Sequence, residues 1–131
     1  NFKNSGGGTF KLALYAESSG GKSSTTATLG AGTTAFTTTG EVASSGTYVT
    51  GGLALTRVDP TSSGTVGFTD FADREYTSAT ITAKGALMYN SSDSNKSVCV
   101  LNFGSNKTST SGTFTIAFPT ANQSSAIIRI E

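Results

Sequence analysis

Strict alternation of apolar and polar residues dominates the second half of this chain. In ATITAKGALMYN, residues 79–90, Ile81, Ala83, Gly85, Leu87 and Tyr89 share one parity, and Thr80, Thr82, Lys84, Ala86 and Met88 the other. A β-strand sends successive side chains to opposite faces, so the segment predicts a half-buried strand. The run SSDSNK then predicts a turn, because Ser, Asn and Asp bond their own backbone and tolerate turn dihedrals. SVCVLNFG, residues 97–104, is nearly continuously apolar and predicts a strand covered on both sides. A second polar turn, SNKTSTSG, leads to TFTIAFP, with Phe114, Ile116 and Phe118 on one face, and the sequence closes on AIIRI. Short strands joined by polar turns predict an antiparallel meander.

The first half is less regular. NFKNSGGG, residues 1–8, reads as a flexible Gly-rich arm; its glycines follow no strand and precede no GK[ST], so they do not form a phosphate loop. TFKLALY alternates cleanly, with Phe10, Leu12 and Leu14 inward and Lys11 outward. ESSGGKSST reads as a loop, and TATLGAGTTAFTTTGEV as an irregular excursion broken by glycine. After an SSG turn, TYVTGGLALTRV predicts a strand bent at Gly51-Gly52 and ended by Asp59-Pro60, since Pro offers no ladder donor. TVGFTDF is the next strand, and ADREYTS leads back to Ala79. About eight strands without an amphipathic helix predict a single all-β domain over residues 9–131, a β-sandwich, jelly roll or small barrel. Its expected core holds Leu12, Leu14, Leu55, Ile81, Leu87, Val98, Val100, Phe114, Ile116 and Ile128.

Composition sharpens this picture. At 131 residues the chain suits one domain with its own core. Charged residues make up 13%, too few for a disordered polyelectrolyte, and abundant Thr and 16 Gly favour strands and turns. A net charge of +1 supplies no footprint for nucleic acid or an anionic membrane, so neither is an expected partner. No apolar run approaches the roughly 20 residues of a membrane-spanning helix, and no segment reads as a signal peptide.

Candidate chemistry is sparse. The chain has no His, so no Ser-His-Asp or Cys-His arrangement can be assembled, and the commonest transition-metal ligand is missing. Cys99 is the one cysteine; it sits in an apolar run and reads as a buried small hydrophobe rather than a reactive thiol. Asp70, Asp73 and Glu75, with Arg74 among them, form the one notable acidic cluster. Calcium ligation and a glycosidase pair are the functional alternatives to a solvated turn whose acids pair with Arg74 or cap backbone N–H groups; the spacing favours the turn. Phe10, Phe68, Phe71, Phe103, Phe114 and Phe118 alternate and read as core, and the absence of Trp weakens a carbohydrate-binding reading. Sequons at Asn90, Asn95, Asn106 and Asn122 arise readily in a Ser/Thr-rich chain and matter only after secretion from a eukaryote.

Four pieces of the chain carry a resemblance: TFKLALY, AFTTTGEVASSGTYVTGGLALTRV, TVGFTDFADREYTSATITAKGALMYN, and SNKSVCVLNFGSNKTSTSGTFTIAFPTANQSSAIIRI. Together, in this order and over nearly the whole length, they resemble a family of small tailed-bacteriophage virion proteins. The GALMYN-like strand followed by NKSVCVLNFGS and TFTIAFP is its most specific part. Cys99 departs from the small apolar residues common there. The resemblance implies a non-enzymatic structural protein of the phage particle, made in the host cytoplasm and located on the virion, with no catalytic residue, metal or cofactor. A capsid decoration or cement protein bound to the major capsid protein lattice is the leading expectation, self-associated as a trimer or ring. A tail or tail-fibre component is the alternative, and a glycan-binding β-domain the second.

Overall fold

The computed structural model describes residues 1–3, 5–16, 29 and 33–131. Among them are seven strands and no α-helix: β1 (Phe10–Tyr15), β2 (Leu53–Ala54), β3 (Arg57–Ser63), β4 (Val66–Phe71), β5 (Arg74–Asn90), β6 (Lys96–Ile116) and β7 (Ile128–Ile130). They form two antiparallel sheets, one ordered β2-β1-β5-β6 and the other β3-β4-β7. The chain divides into two compact units: Asn1–Gly8, Leu55–Glu75 and Thr115–Glu131 in one, Thr9–Ala54 and Tyr76–Phe114 in the other. The expected loop ESSGGKSST and most of the expected excursion up to residue 32 lie outside the described residues.

In the four-stranded sheet, β1 lies against β5 from Phe10↔Asn90 to Tyr15↔Gly85. The register puts Ala13, Tyr15, Leu87 and Tyr89 on one face, where they cluster with Leu29 and are flanked by Phe36 and Val100. Leu12, Leu14, Ala86 and Met88 occupy the opposite face and are buried too. Alternation therefore overstated the outward face of β1: the strand is covered on both sides, and only Lys11 stays half-buried. In β5 the expected pattern holds from Ala79 to Ala83, with buried Ala79, Ile81 and Ala83 between exposed Thr80 and Thr82. From Gly85 to Tyr89 both parities are buried.

Sheet curvature accounts for that double burial. Met88 is the register partner of Leu12, while the hydroxyl of Tyr76, twelve residues earlier on β5, also reaches the Leu12 carbonyl at 3.0 Å. Twelve residues of straight strand would span about 40 Å. β5 therefore bends back on itself, and β6 follows it: the rings of Phe103 and Phe114 stand 6.4 Å apart. Positive φ at Ser78 on β5, and at Gly104 and Ser111 on β6, marks where the strands kink.

Several expectations change. SNKTSTSG is not a turn between two strands; it is the polar middle of β6, beside β5 through Thr82···Thr108 (3.1 Å) and Ser109 to the Ala79 carbonyl (2.9 Å). An edge strand facing water needs the same polar residues as a turn, which is why the pattern misleads. For the same reason SVCVLNFG is not covered on both sides: residues 97–101 are half-buried, Cys99 included. Val98, Val100 and Ile128 are likewise half-buried, as are Phe68, Phe103 and Phe118, while the other seven expected core residues are buried. Leu55, Ile116 and Ile128 belong to the first unit and the remaining expected core residues to the second.

In the first unit, β3 runs through Asp59-Pro60 instead of ending there. It is an edge strand, and its register with β4 shifts between Val58 and Thr61, so the missing Pro60 donor falls in a bulge. Ser63 and Val66 close the hairpin around Gly64, whose φ of 59° suits the first position of a two-residue turn. AIIRI does not extend the meander; β7 pairs with β4 through Gly67↔Ile130, Phe68↔Arg129 and Thr69↔Ile128. The strand expected between Thr47 and Val58 is bent at Gly51-Gly52 as expected, where both take positive φ, and its strand residues are divided between β2 and the start of β3 at Arg57-Val58. The SSDSNK turn forms as expected, with Lys96 N–H donating to the Asp93 carbonyl at 3.0 Å.

Leu87→Ala should lose about 2–5 kcal/mol, the cost of an unfilled cavity at a fully buried site. Leu101→Ala, on the half-exposed edge strand, should lose less than half of that. Urea unfolding of both variants checks the difference; equal losses would mean that β6 is not an edge.

Candidate functional site

The densest polar constellation lies in the second unit and was not anticipated as a cluster. It joins β1 and β5 to the irregular segment before β2. Leu14 of β1 presents its N–H and carbonyl away from β5, where β2 is too short to reach: β2 pairs only with Lys11 and Leu12. The Leu14 N–H donates to the Tyr48 hydroxyl at 2.9 Å, and Val42 N–H donates to the Leu14 carbonyl at 2.9 Å. Ala16 N–H donates to the Gly40 carbonyl at 3.1 Å. The Tyr48 hydroxyl in turn donates to Glu41 Oε1 at 2.7 Å, and the same oxygen accepts the Gly51 N–H at 2.5 Å. Tyr89 closes the ring by donating to the Gly51 carbonyl at 2.6 Å, and Tyr15 donates to the Thr37 carbonyl at 2.6 Å.

Aromatic packing holds these hydroxyls in place. Tyr48 meets Tyr76 edge-on at 5.0 Å, and Phe36 stacks on Tyr89 at 4.6 Å. The turn at Gly51-Gly52 brings the backbone so close to β1 that a Cβ on Gly52 would collide with the Leu12 carbonyl. Burial pushes the Glu41 carboxyl above its ordinary range, opposed by its bonds from Tyr48 and Gly51, and among the described residues Glu41 Oε2 is buried without a hydrogen-bond partner. Burial also raises Tyr15, Tyr48 and Tyr89, with the Glu41 charge adding to each. A phenol held neutral, with its proton committed to a backbone carbonyl or Glu41, is a fastener and not an acid–base catalyst. In sequence, the visible trace of this cluster was Tyr at 15, 48, 76 and 89, with Glu41 between Gly40 and Val42.

The acidic residues singled out in sequence are dispersed. Asp70 is in β4 and fully buried, so it is not part of a solvated turn; its two oxygens accept Phe71 N–H at 2.8 Å and Ile127 N–H at 3.3 Å. Asp73 accepts Phe118 N–H at 2.8 Å. Glu75 is exposed on β5, and Arg74 is half-buried beside it. Backbone capping thus describes Asp70 and Asp73, and among the described residues no three His, Cys, Asp or Glu side chains gather as metal ligands. Burial raises the Cys99 thiol, which keeps it protonated. The sequon Asn90 and Asn122 side chains accept neighbouring serine N–H groups, at 3.1 Å from Ser92 and 2.8 Å from Ser124.

Two surfaces remain. In the first unit an open groove of about 520 Å³ is walled by Phe2, Pro60, Phe68, Ile128 and Ile130, the last 74% exposed. The arm closes near it: Gly8 N–H donates to the Asn1 carbonyl, and Arg57 donates to the Gly8 carbonyl. In the second unit, five consecutive residues of β6, Gly104 to Thr108, are exposed at the outer edge of the sheet. Searches against protein-family models, curated proteins and solved structures find no match to this chain.

Tyr48→Phe should lose about 1–3 kcal/mol, because it strands the Leu14 N–H and takes a donor from Glu41. The Glu41 carboxyl is raised in the fold, so the folded state binds its proton more tightly than the unfolded chain. Its contribution is intact below the ordinary value of 4.5 and is lost as pH rises through the elevated one. Chemical denaturation across this window should show stability falling with pH in the parent and a flatter profile in Glu41→Gln; parallel profiles would mean that Glu41 is solvated. The melting temperature should be unchanged by EDTA or millimolar calcium, since a cation binding only the folded state would raise it.

Proposed function

We propose that this chain is a non-enzymatic adhesion protein of a tailed-bacteriophage particle, a decoration or cement protein that lies on the major capsid protein lattice and strengthens the head. The observation that carries the adhesive part is the β6 edge: among the described residues, 33–36 bond only its first two residues, Lys96 and Ser97, and farther along Gly104 to Thr108 expose both parities of a strand that ends the sheet order. An unpaired strand edge offers a row of N–H and C=O groups to another chain. The curled second unit supports the reading further, because its hydroxyls are bonded internally and hold the edge on a rigid body. The assignment to a phage particle rests on the resemblance carried by the four sequence pieces. In this reading copies associate as a trimer or ring on a lattice symmetry axis, where weak contacts gain avidity.

Purified protein should co-sediment saturably with heads that lack it, on the order of hundreds of copies per head as lattice symmetry requires, and should raise the temperature at which those heads rupture. Binding to purified tails and not to heads would replace decoration with the tail reading. Failure to bind either particle would overturn the proposal.

A further inference from the structure

We propose that the β6 edge between its two kinks is a strand-acceptor site for an extended segment of another protein, neutral except for a carboxylate opposite Lys107. This rests on the adhesion reading and names the chemistry of the partner. Gly104 (φ 75°) and Ser111 (φ 48°) bound the site, leaving Ser105–Thr110 as an uninterrupted stretch. That is the usual length of a β-strand, about 5–6 residues. Within it all but Ser109 are exposed, and Ser109 turns inward to donate to the Ala79 carbonyl.

Charge decides what fits there. Lys107 is the one charged side chain of the stretch. Among the described residues its ammonium meets the Ser105 hydroxyl at 3.1 Å and no carboxylate. An added strand places its side chains directly opposite those of β6, where opposite charges attract and like charges repel. A second copy of β6 answers this poorly, since β6 contains Lys96 and Lys107 and no acid. At the other end of the sheet β2 is two residues long, too short to serve as a complementary edge for a neighbouring copy. The site thus suits a foreign extended segment with an acidic centre.

The test uses the full chain and fluorescein-labelled synthetic decapeptides of alternating Thr and Val, with Glu, Thr or Lys at the centre. Fluorescence anisotropy should rank them Glu, Thr, Lys, with neighbours separated by roughly two- to fivefold in Kd. Lys107→Glu should reverse the order. N-methylating the Glu peptide at successive positions in turn should abolish binding at alternate positions only, because just every second N–H of a guest strand points to the host edge. Chemical shifts perturbed by the peptide should centre on Ser105–Thr110. No binding at millimolar peptide, binding indifferent to N-methyl parity, or shifts centred elsewhere would overturn the proposal. Self-association through the same residues at high protein concentration would also overturn it, in favour of a second copy. Head binding that persists undiminished in Lys107→Glu, with no peptide binding, would reject this site while leaving the adhesion reading intact; loss of head binding in the parent protein would reject that reading instead.

Discussion

The outer edge of β1 is the constraint on which the second unit depends. β1 is buried on both faces, so every N–H and C=O it turns away from β5 must find a partner within the fold. β2 answers at Lys11 and Leu12 and then stops. Beyond it the Leu14 N–H is met by a phenol, the Leu14 carbonyl by Val42, and the Leu12 carbonyl by the phenol of Tyr76. A buried tyrosine contributes a large apolar ring, but only if its hydroxyl is bonded does the net balance favour burial. Here each of the four phenols closes a backbone or carboxylate valence, so packing and hydrogen bonding stabilise the same contacts.

That economy explains the shape of the sheet. Tyr76 can reach Leu12 only if β5 curls, and the curl carries β6 with it, bringing Phe103 to Phe114. Glu41 is the less comfortable member. It binds Tyr48 and Gly51 through one oxygen and, among the described residues, leaves the other buried without a partner, a cost that the surrounding bonds offset. Its elevated carboxyl is the expected consequence of holding a charge among rings.

Where side-chain period alone determines an element, the sequence was a good guide. The positions of β1 and β4, the Ala79–Ala83 half of β5 and the Asp93 turn follow from alternation and turn chemistry, although burial along β1 and β4 does not alternate. What alternation does not carry is the identity of a neighbour. Thr108 and Ser109 look like turn residues because a water-facing edge and a turn select the same side chains, and Pro60 looks like a terminator because its edge position and bulge are tertiary facts. The tyrosine cluster was hidden for a related reason: its partners are backbone groups distant in sequence, and Leu14 gives no sign in one dimension that it needs Tyr48. The acidic trio illustrates the reverse error. Asp70, Asp73 and Glu75 are close in sequence, yet Asp70 is buried in β4 while Glu75 faces solvent on β5.

In the proposed reading, attachment uses the β6 edge of the internally bonded second unit. The edge is useful only if the free chain leaves it open, and amide hydrogen exchange of the free protein measures that residue by residue. Amides of Leu12, Leu14 and Leu87 should exchange at the slow, globally limited rate. Along Ser105–Thr110 slow and fast amides should alternate, those facing β5 protected and those facing outward exchanging freely. Uniform protection through Ser105–Thr110 would show that the edge is already covered in the free protein, and the account of an open acceptor strand would be wrong.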